Sequence, residues 1–442
     1  MTQADDFRGF GSGRPTPDDI AAAREAGLLP LDVAPIAPKP VAVGGPEGRR
    51  ARRRAELIDS GKAWWVVVAA FFSTLTAFFV TYSFTTFFGA MSEEFDSGDA
   101  STSLLFSLTI GFLFILGLPA GKASDRWGPR PVVLFGAAVL VAGLLLTSRV
   151  QRLEVGYLTY GLAVGLGVAC CYVPVVSQVT GWFEQRRAVA LGIAVSGIGV
   201  GTTLGPRLSQ ALIDEVGWRD AYEVLAVCAA AGFLVAAALI KPAPAMANAE
   251  TFKLRTLASS KVFRAMYLSG FLMSLGLFVP FLYLKPYAED NGIGAGDAAL
   301  LLSVLGIGSL AGRLLLGTFA GRMGLMRLYQ MCFIVLAASF VIWLAAGGSW
   351  PALAAFAFVL GVAYGGYVAL SPAAAAELFG LVGLGSTLGA MYTAGGFGGL
   401  LGPPLAGLLQ DTTDTYTWSI VAAGVTAVVG VLVLRRAIRL AA

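Results

Sequence analysis

One arginine, Arg313, stands in an apolar stretch, 298–320, that holds no other ionisable residue. A cation at bilayer depth costs about 2.5–3.5 kcal/mol even on the most lenient insertion scale, so such a side chain faces a protein cavity or a partner rather than lipid. The planar donor fork of a guanidinium matches the two oxygens of a carboxylate. The chemistry expected of Arg313 is therefore the binding of an organic anion inside a membrane-embedded bundle. The competing use, a structural ion pair, needs an acid at similar depth, and the sequence offers none. Arg207, directly after Pro206, can pair with Glu223 as part of a gate or draw substrate toward the bundle. Glu223 is the one carboxylate inside an expected span, and a shallow one. The chain has no histidine, which removes histidine-based zinc sites, Ser–His–Asp triads and histidine proton relays. Cys170, Cys171, Cys228 and Cys332 lie in apolar runs without a Cys-x-x-Cys pair and read as small buried hydrophobes. No metal, cofactor or catalytic constellation is expected, so the chain does not read as an enzyme.

The elements that must position Arg313 are membrane helices. Of 442 residues, 57% are hydrophobic and 13% charged, against about 25% charged in a soluble domain. Twelve apolar segments follow the tail, at 64–88, 102–120, 131–148, 155–177, 188–213, 221–240, 262–283, 298–320, 328–346, 351–371, 384–409 and 417–434. Each is long enough to cross about 30 Å of hydrocarbon as a helix, and open strands cannot satisfy their backbone there. Basic residues fix the expected orientation. Arg49–Arg54, Lys122, Arg126, Arg130, Arg322, Arg435 and Arg436 fall on one side; Arg149, Arg152, Arg219 and Lys285 fall on the other. Both termini are then cytoplasmic, in a multi-pass protein of the cell inner membrane. The formal net charge of +4 gives no reason to expect nucleic acid as a partner. Residues 1–60, rich in charge, proline and glycine, read as a disordered tail. Its terminal arginine cluster either anchors the first helix or serves a regulatory, lipid-binding role.

The two halves repeat at a constant offset of about 196. Residues 121–130 read Gly-Lys-Ala-Ser-Asp-Arg-Trp-Gly-Pro-Arg, and residues 317–327 read Gly-Thr-Phe-Ala-Gly-Arg-Met-Gly-Leu-Met-Arg. The run from Leu191 to Gly205-Pro206 likewise matches Leu388 to Gly402-Pro403. This predicts an all-α polytopic architecture of two pseudo-symmetric six-helix halves. It comprises a tail at 1–60, a six-helix bundle at 61–240, a linker at 241–261 and a second six-helix bundle at 262–436, with a cavity between the bundles. Asp125, Arg126 and Arg130, with Arg322 in the second copy, are expected to hold the cytoplasmic gate. Asp125 has no counterpart, because Gly321 stands in its place. The glycine-rich fifth and eleventh helices are expected to pack closely.

These residues resemble those of the major facilitator superfamily, through residues 121–130, the run ending Gly205-Pro206, and Gly217-Trp218-Arg219. More narrowly they resemble the monocarboxylate transporters and the oxalate:formate antiporter group. The narrower likeness is carried by Trp65 to Phe71, by Thr81-Tyr82-Ser83-Phe84, and by Leu301 to Gly306 with Gly312-Arg313. Tyr364-Gly365-Gly366, Glu377 to Gly380 and Tyr392-Thr393-Ala394-Gly395 complete it. The resemblance covers about 62–436 and implies a secondary transporter working by alternating access. In that family the helix 8 arginine binds the substrate carboxylate, which is Arg313 here. The family acid four positions earlier is replaced by Ser309, the helix 1 lysine falls near Ser83, and the second basic residue of the oxalate antiporters falls near Gly395. A single arginine favours a monovalent anion, moved by proton symport or by exchange. The lining is expected from helices 1, 4, 5, 7, 8, 10 and 11, with Tyr82, Ser83, Tyr172, Gln178, Ser309, Tyr364, Tyr392 and Thr393 among the candidates, whose polar groups can meet a carboxylate while the rings line an apolar pocket. The resemblance names the bilayer and a small organic anion, with a proton, as partners of a fold that can work as a monomer. An exporter of amphipathic compounds is the alternative, and an anion-binding sensor signalling through the tail is a remote one.

Overall fold

The computed structural model describes residues 58–183, 186–243, 254–379 and 384–441; most of the tail and the middle of the linker lie outside them. Helix is the local answer throughout, because it alone satisfies every backbone group within one segment in lipid. The long helices are α1 (Ala63–Glu94), α2 (Asp99–Trp127), α3 (Pro129–Thr147) and α4 (Leu153–Trp182). A continuous stretch, Arg187–Leu239, is broken at Gly217 into α5 (187–216) and α6 (218–239). After a short linker helix, Leu254–Ser259, come α7 (Lys261–Asp290), α8 (Ala295–Met323), α9 (Leu325–Ala346), α10 (Trp350–Phe379), α11 (Leu384–Thr413) and α12 (Tyr416–Ala441). Among the described residues, ten helical stretches are long and apolar enough to span a bilayer, the 51-residue run Val189–Leu239, which holds both α5 and α6, counted as one. The chain is thus a multi-pass membrane protein. In α11 glycines and two prolines dilute the hydropathy of an otherwise span-length helix. The observed helices outrun the expected apolar segments. Thirty residues rise about 45 Å, so their ends project past the hydrocarbon into the interface.

The repeat is visible in the backbone. Gly128 between α2 and α3 has φ 86°, and Gly324 between α8 and α9 has φ 83°. A side chain is strained at such angles, which is why both copies of the motif place glycine there. Packing repeats as well. α1 lies on α5 and α7 on α11, α2 on α4 and α8 on α10, α3 on α6 and α9 on α12. α2 against α11 and α5 against α8 join the first six helices to the last six.

The expected close approach of α5 and α11 is present. Gly197, Gly201 and Gly205 lie against the α1 backbone at Phe71, Leu75 and Phe79, and Gly398 and Gly402 lie against α7 at Phe271 and Leu275. Small residues let membrane helices touch backbone to backbone where lipid supplies no hydrophobic drive. The opposite faces of the same helices meet the other half, Gly199 against Leu310 and Gly399 against Ile110.

Gly217-Trp218-Arg219 ties the corner of the first half. The Trp218 indole N–H and the Arg219 guanidinium both donate to the Glu94 carboxylate, at 2.6 and 2.5 Å, and Arg219 also donates to the Ser148 carbonyl at 2.8 Å.

Candidate functional site

Arg313 sits on α8, well past its midpoint, and is 4% exposed. Its Nε, Nη1 and Nη2 have no hydrogen-bond partner. The guanidinium carbon lies 5.4 Å from the centre of the Tyr364 ring on α10. A cation over an aromatic face recovers about 2 kcal/mol when desolvated, well short of what a buried cation loses by leaving water. One turn earlier on the same face, the Ser309 hydroxyl is also buried and unpartnered. Two adjacent groups able to donate, both without an acceptor, have the chemistry to receive an anion.

The α8–α10 contact that sets this geometry is built on glycine. A Cβ on Gly312 would collide with the Val362 carbonyl, and one on Gly365 would collide with the Ser309 carbonyl. The small residues of the Gly312-Arg313 and Tyr364-Gly365-Gly366 motifs bring the two helices together. The neighbouring Tyr364 and Arg313 are thereby placed face to cation.

Three buried rings close one side of the site. Tyr82 on α1 stacks on Phe281 of α7 at 4.6 Å, Phe281 meets Tyr364 edge-on at 5.3 Å, and the Tyr82 and Tyr364 hydroxyls share a hydrogen bond of 3.3 Å. That bond joins the two halves beside Arg313. By count along their helices, half-buried Tyr172 and Tyr392 lie about level with the arginine, and Tyr172 is close enough to interact electrostatically with Arg313, Tyr364 and Tyr392. Tyr172 packs edge-on against Phe78 at 5.2 Å, and Tyr392 lies 6.2 Å from Phe114. The Thr393 hydroxyl donates to Ala390 and contacts the Tyr267 hydroxyl at 3.1 Å.

The structure thus gathers Arg313, Ser309, Tyr82 and Tyr364, with Tyr172 close enough to interact with Arg313 and Tyr392 beside Tyr172, while the shown contacts of Thr393 are with Ala390 and Tyr267. It does not bring in Ser83. That side chain faces α5 and is fully buried, donating to Phe79 at 2.7 Å and accepting from Ser209 at 2.9 Å. One residue along a helix turns a side chain by about 100°, so Tyr82 and Ser83 cannot both face the same site. Gln178 is also committed elsewhere, accepting from the Ala243 amide of the linker at 2.7 Å.

The expected pairing of Arg207 with Glu223 does not form. Glu223 lies 3.6 Å from Arg149 and accepts from Ser148 at 3.2 Å, while Arg207 donates to the Gly296 carbonyl at 3.0 Å, at the start of α8. Arg207 therefore bridges the halves, as a gate residue would, with a backbone partner in place of the acid. Arg126 and Arg130 are exposed at the α2–α3 turn, with the Arg126 guanidinium 5.8 Å from the Trp127 ring. The side chains of Asp125 and Arg322 lie outside the described ones.

Sequence reasoning missed a closure on the side of the 95–98 and 291–294 loops. Asp411 of α11 accepts from the backbone amides of Asp99 and Ala100, at 2.8 and 3.0 Å, capping α2 from the other half. Tyr416 donates to the Asp99 carboxylate at 3.0 Å, and the Tyr283 hydroxyl reaches the Asp99 and Pro403 carbonyls at 3.2 and 3.1 Å. A signal existed: Asp411 matches Asp214 at the repeat offset. Asp214, however, is occupied within α5 by Gln210, at 2.8 Å. Hydrogen bonds joining the halves cluster on this side. On the other side a Cβ on Gly192 would meet open space, and Gly389 reaches Leu118 only at 3.7 Å. Loss of such a helix cap costs about 0.5–2 kcal/mol, so Asp411→Ala shifts the equilibrium toward opening on this side by about tenfold. Labelling of a single cysteine placed behind the Tyr82–Phe281–Tyr364 rings checks this; unchanged labelling rate in the variant removes the cap from the gate.

The Major Facilitator Superfamily pattern matches residues 70–267 and 265–440, one copy on each half. A monocarboxylate transporter 12-B of Danio rerio is 30% identical over 81% of this chain and 83% of its own length. A monocarboxylate transporter 13 of Rattus norvegicus is 33% identical over 84% and 88%. Among solved structures, a bacterial homolog of the human lysosomal transporter Spinster superposes with a TM-score of 0.68 at 15% identity, covering 86% of this chain and 98% of that one. With the pattern matched on both halves and relatives of the monocarboxylate-transporter type aligned along most of its length, this chain is a member of the Major Facilitator Superfamily, a family of secondary transporters.

Proposed function

We propose that the protein carries a small organic anion, a monocarboxylate, across the cell inner membrane by alternating access of two six-helix bundles, with both termini cytoplasmic. The observation that carries this reading is the buried Arg313 guanidinium without a partner. Similarity to relatives named monocarboxylate transporters supports the substrate class.

In the proposed cycle the carboxylate enters from the side away from Asp411 and pairs with Arg313, Ser309 adding a donor. Pairing offsets the desolvation of the cation and lowers the cost of enclosing it. The halves then rock, the bonds of Asp411, Arg207 and Tyr82–Tyr364 part, and the turns around Asp125, Arg126, Arg130 and Arg322 close. An empty carrier must enclose an uncompensated charge, so exchange of one anion for another outruns net flux. Because Ser309 cannot titrate near neutral pH, a cotransported proton travels on the substrate carboxylate or on a group away from Arg313.

The test is uptake of labelled short monocarboxylates into proteoliposomes, native protein beside Arg313→Lys, with and without an imposed pH gradient. Saturable uptake lost in the variant supports the reading, and accumulation driven by the gradient selects symport over exchange. The absence of uptake and of trans-stimulation from folded native protein overturns it. The half-buried rings then favour the alternative of an amphipathic-compound exporter, with Arg313 a structural charge.

A further inference from the structure

The lone cation is set among rings, and the lining has almost nothing else with which to read a polar substrate. Apart from tyrosine and cysteine, Arg313 is the one ionisable side chain across 64–92, 100–121, 155–182, 188–206, 265–284, 298–320, 350–376 and 384–410, the membrane depths of α1, α2, α4, α5, α7, α8, α10 and α11. No asparagine occurs in those stretches. Apart from Ser309, the Tyr82 and Tyr364 hydroxyls beside Arg313 are engaged with one another, and Thr393 is engaged with Ala390 and Tyr267. Once the carboxylate has taken Arg313 and Ser309, the rest of the ligand meets ring faces. Tyr82, Phe281 and Tyr364 pack together beside Arg313; Tyr172 and Tyr392, half-buried and contributed by opposite halves, lie close enough to interact with each other, Tyr172 also with Arg313.

A second carboxylate would find no second cation, and a hydroxyl or amino substituent would lose water for little return. A formate or acetate would leave the rings unfilled. A flat apolar body can stack on them in the offset or edge-on geometries that aromatic pairs favour. We infer that the site selects a monocarboxylate bearing an aryl group over small aliphatic, hydroxylated or dicarboxylic acids, with Tyr172 and Tyr392 holding the ring. This rests on the anion-carrier reading above and names the substrate class of that same site.

Because weak acids cross lipid unaided, binding is the cleaner readout. The full chain in nanodiscs is titrated calorimetrically with phenylacetate, benzoate, acetate, lactate and succinate. Phenylacetate binds at least tenfold more tightly than acetate or lactate, and succinate more weakly than either, in line with the about 10–200-fold discrimination an apolar pocket achieves per added group. Tyr172→Leu and Tyr392→Leu each reduce the phenylacetate-to-acetate ratio several-fold. The corresponding Tyr→Phe variants keep the ratio, which separates loss of the ring face from loss of fold. Equal affinity across the panel, or Phe variants that behave as the Leu ones do, overturns the aryl preference while Arg313-dependent acetate binding still upholds the anion site. Native protein that is folded yet binds no carboxylate overturns both.

Discussion

Arg313→Gln raises the thermal stability of the substrate-free protein and abolishes transport. The two effects have opposite signs for one physical reason. In the empty protein the guanidinium is buried with three unpartnered nitrogens, and an unpaired buried charge is a net cost that a neutral side chain relieves. In the loaded protein the same charge is half of an ion pair, and breaking a buried pair costs about 3–5 kcal/mol, from roughly 10²-fold to several thousand-fold in affinity. Arg313→Lys keeps the charge but replaces a planar fork with a point donor, so its affinity falls short of native without the gain in apo stability. Melting curves in detergent, with and without carboxylate, give both numbers. A native-like melting shift by carboxylate in Arg313→Gln places the anion elsewhere. A lower apo melting temperature in that variant means that a hidden acceptor holds the arginine.

Gly365→Val disables the carrier almost as fully, without touching any charge. The added Cβ would run into the Ser309 carbonyl, and that contact is backbone against backbone, with no flexible side chain to give way. Overpacking of this kind costs about 1–3 kcal/mol and often more. Relief by moving α8 off α10 carries Arg313 away from Tyr364 and Ser309 away from the anion. An expected fall in transport of at least about tenfold therefore accompanies a lower melting temperature. Gly192→Val is the control, because its Cβ enters open space; it leaves the melting temperature near native. Equal behaviour of the two variants in melting and in flux contradicts the view that the α8–α10 contact positions the arginine.

Much of the candidate site was legible in the chain. Arg313 announced itself because ionisable residues are costly at that depth and the neighbouring sequence holds no acid. Tyr364 and Tyr82 were reached through motif likeness, and the structure places both beside it. Ser83 was drawn in because the family's helix 1 lysine falls near it, yet its hydroxyl is spent on Phe79 and Ser209. Glu223 was matched with Arg207 by depth along the chain, but its partners are Arg149 and Ser148, from the neighbouring turn of the first half. Asp411 lies outside the expected apolar segments and gains its role only because the fold sets it against the amides that open α2.

What the sequence by itself determined was the class of structure. Scarcity of charge and runs of apolar residues impose membrane helices, glycines at a fixed offset impose two like halves, and one intramembrane arginine marks the place where an anion can sit. Which side chains share that place was decided only by tertiary packing. In a soluble helix the polar face reveals the rotation about its axis. Here Leu208, Val227 and Leu432 point outward as readily as Leu305 and Leu360 point in, so hydropathy carries no phase. Glycine contacts between neighbouring helices set the rotation instead, and with it the distance from Arg313 to every hydroxyl and ring around it.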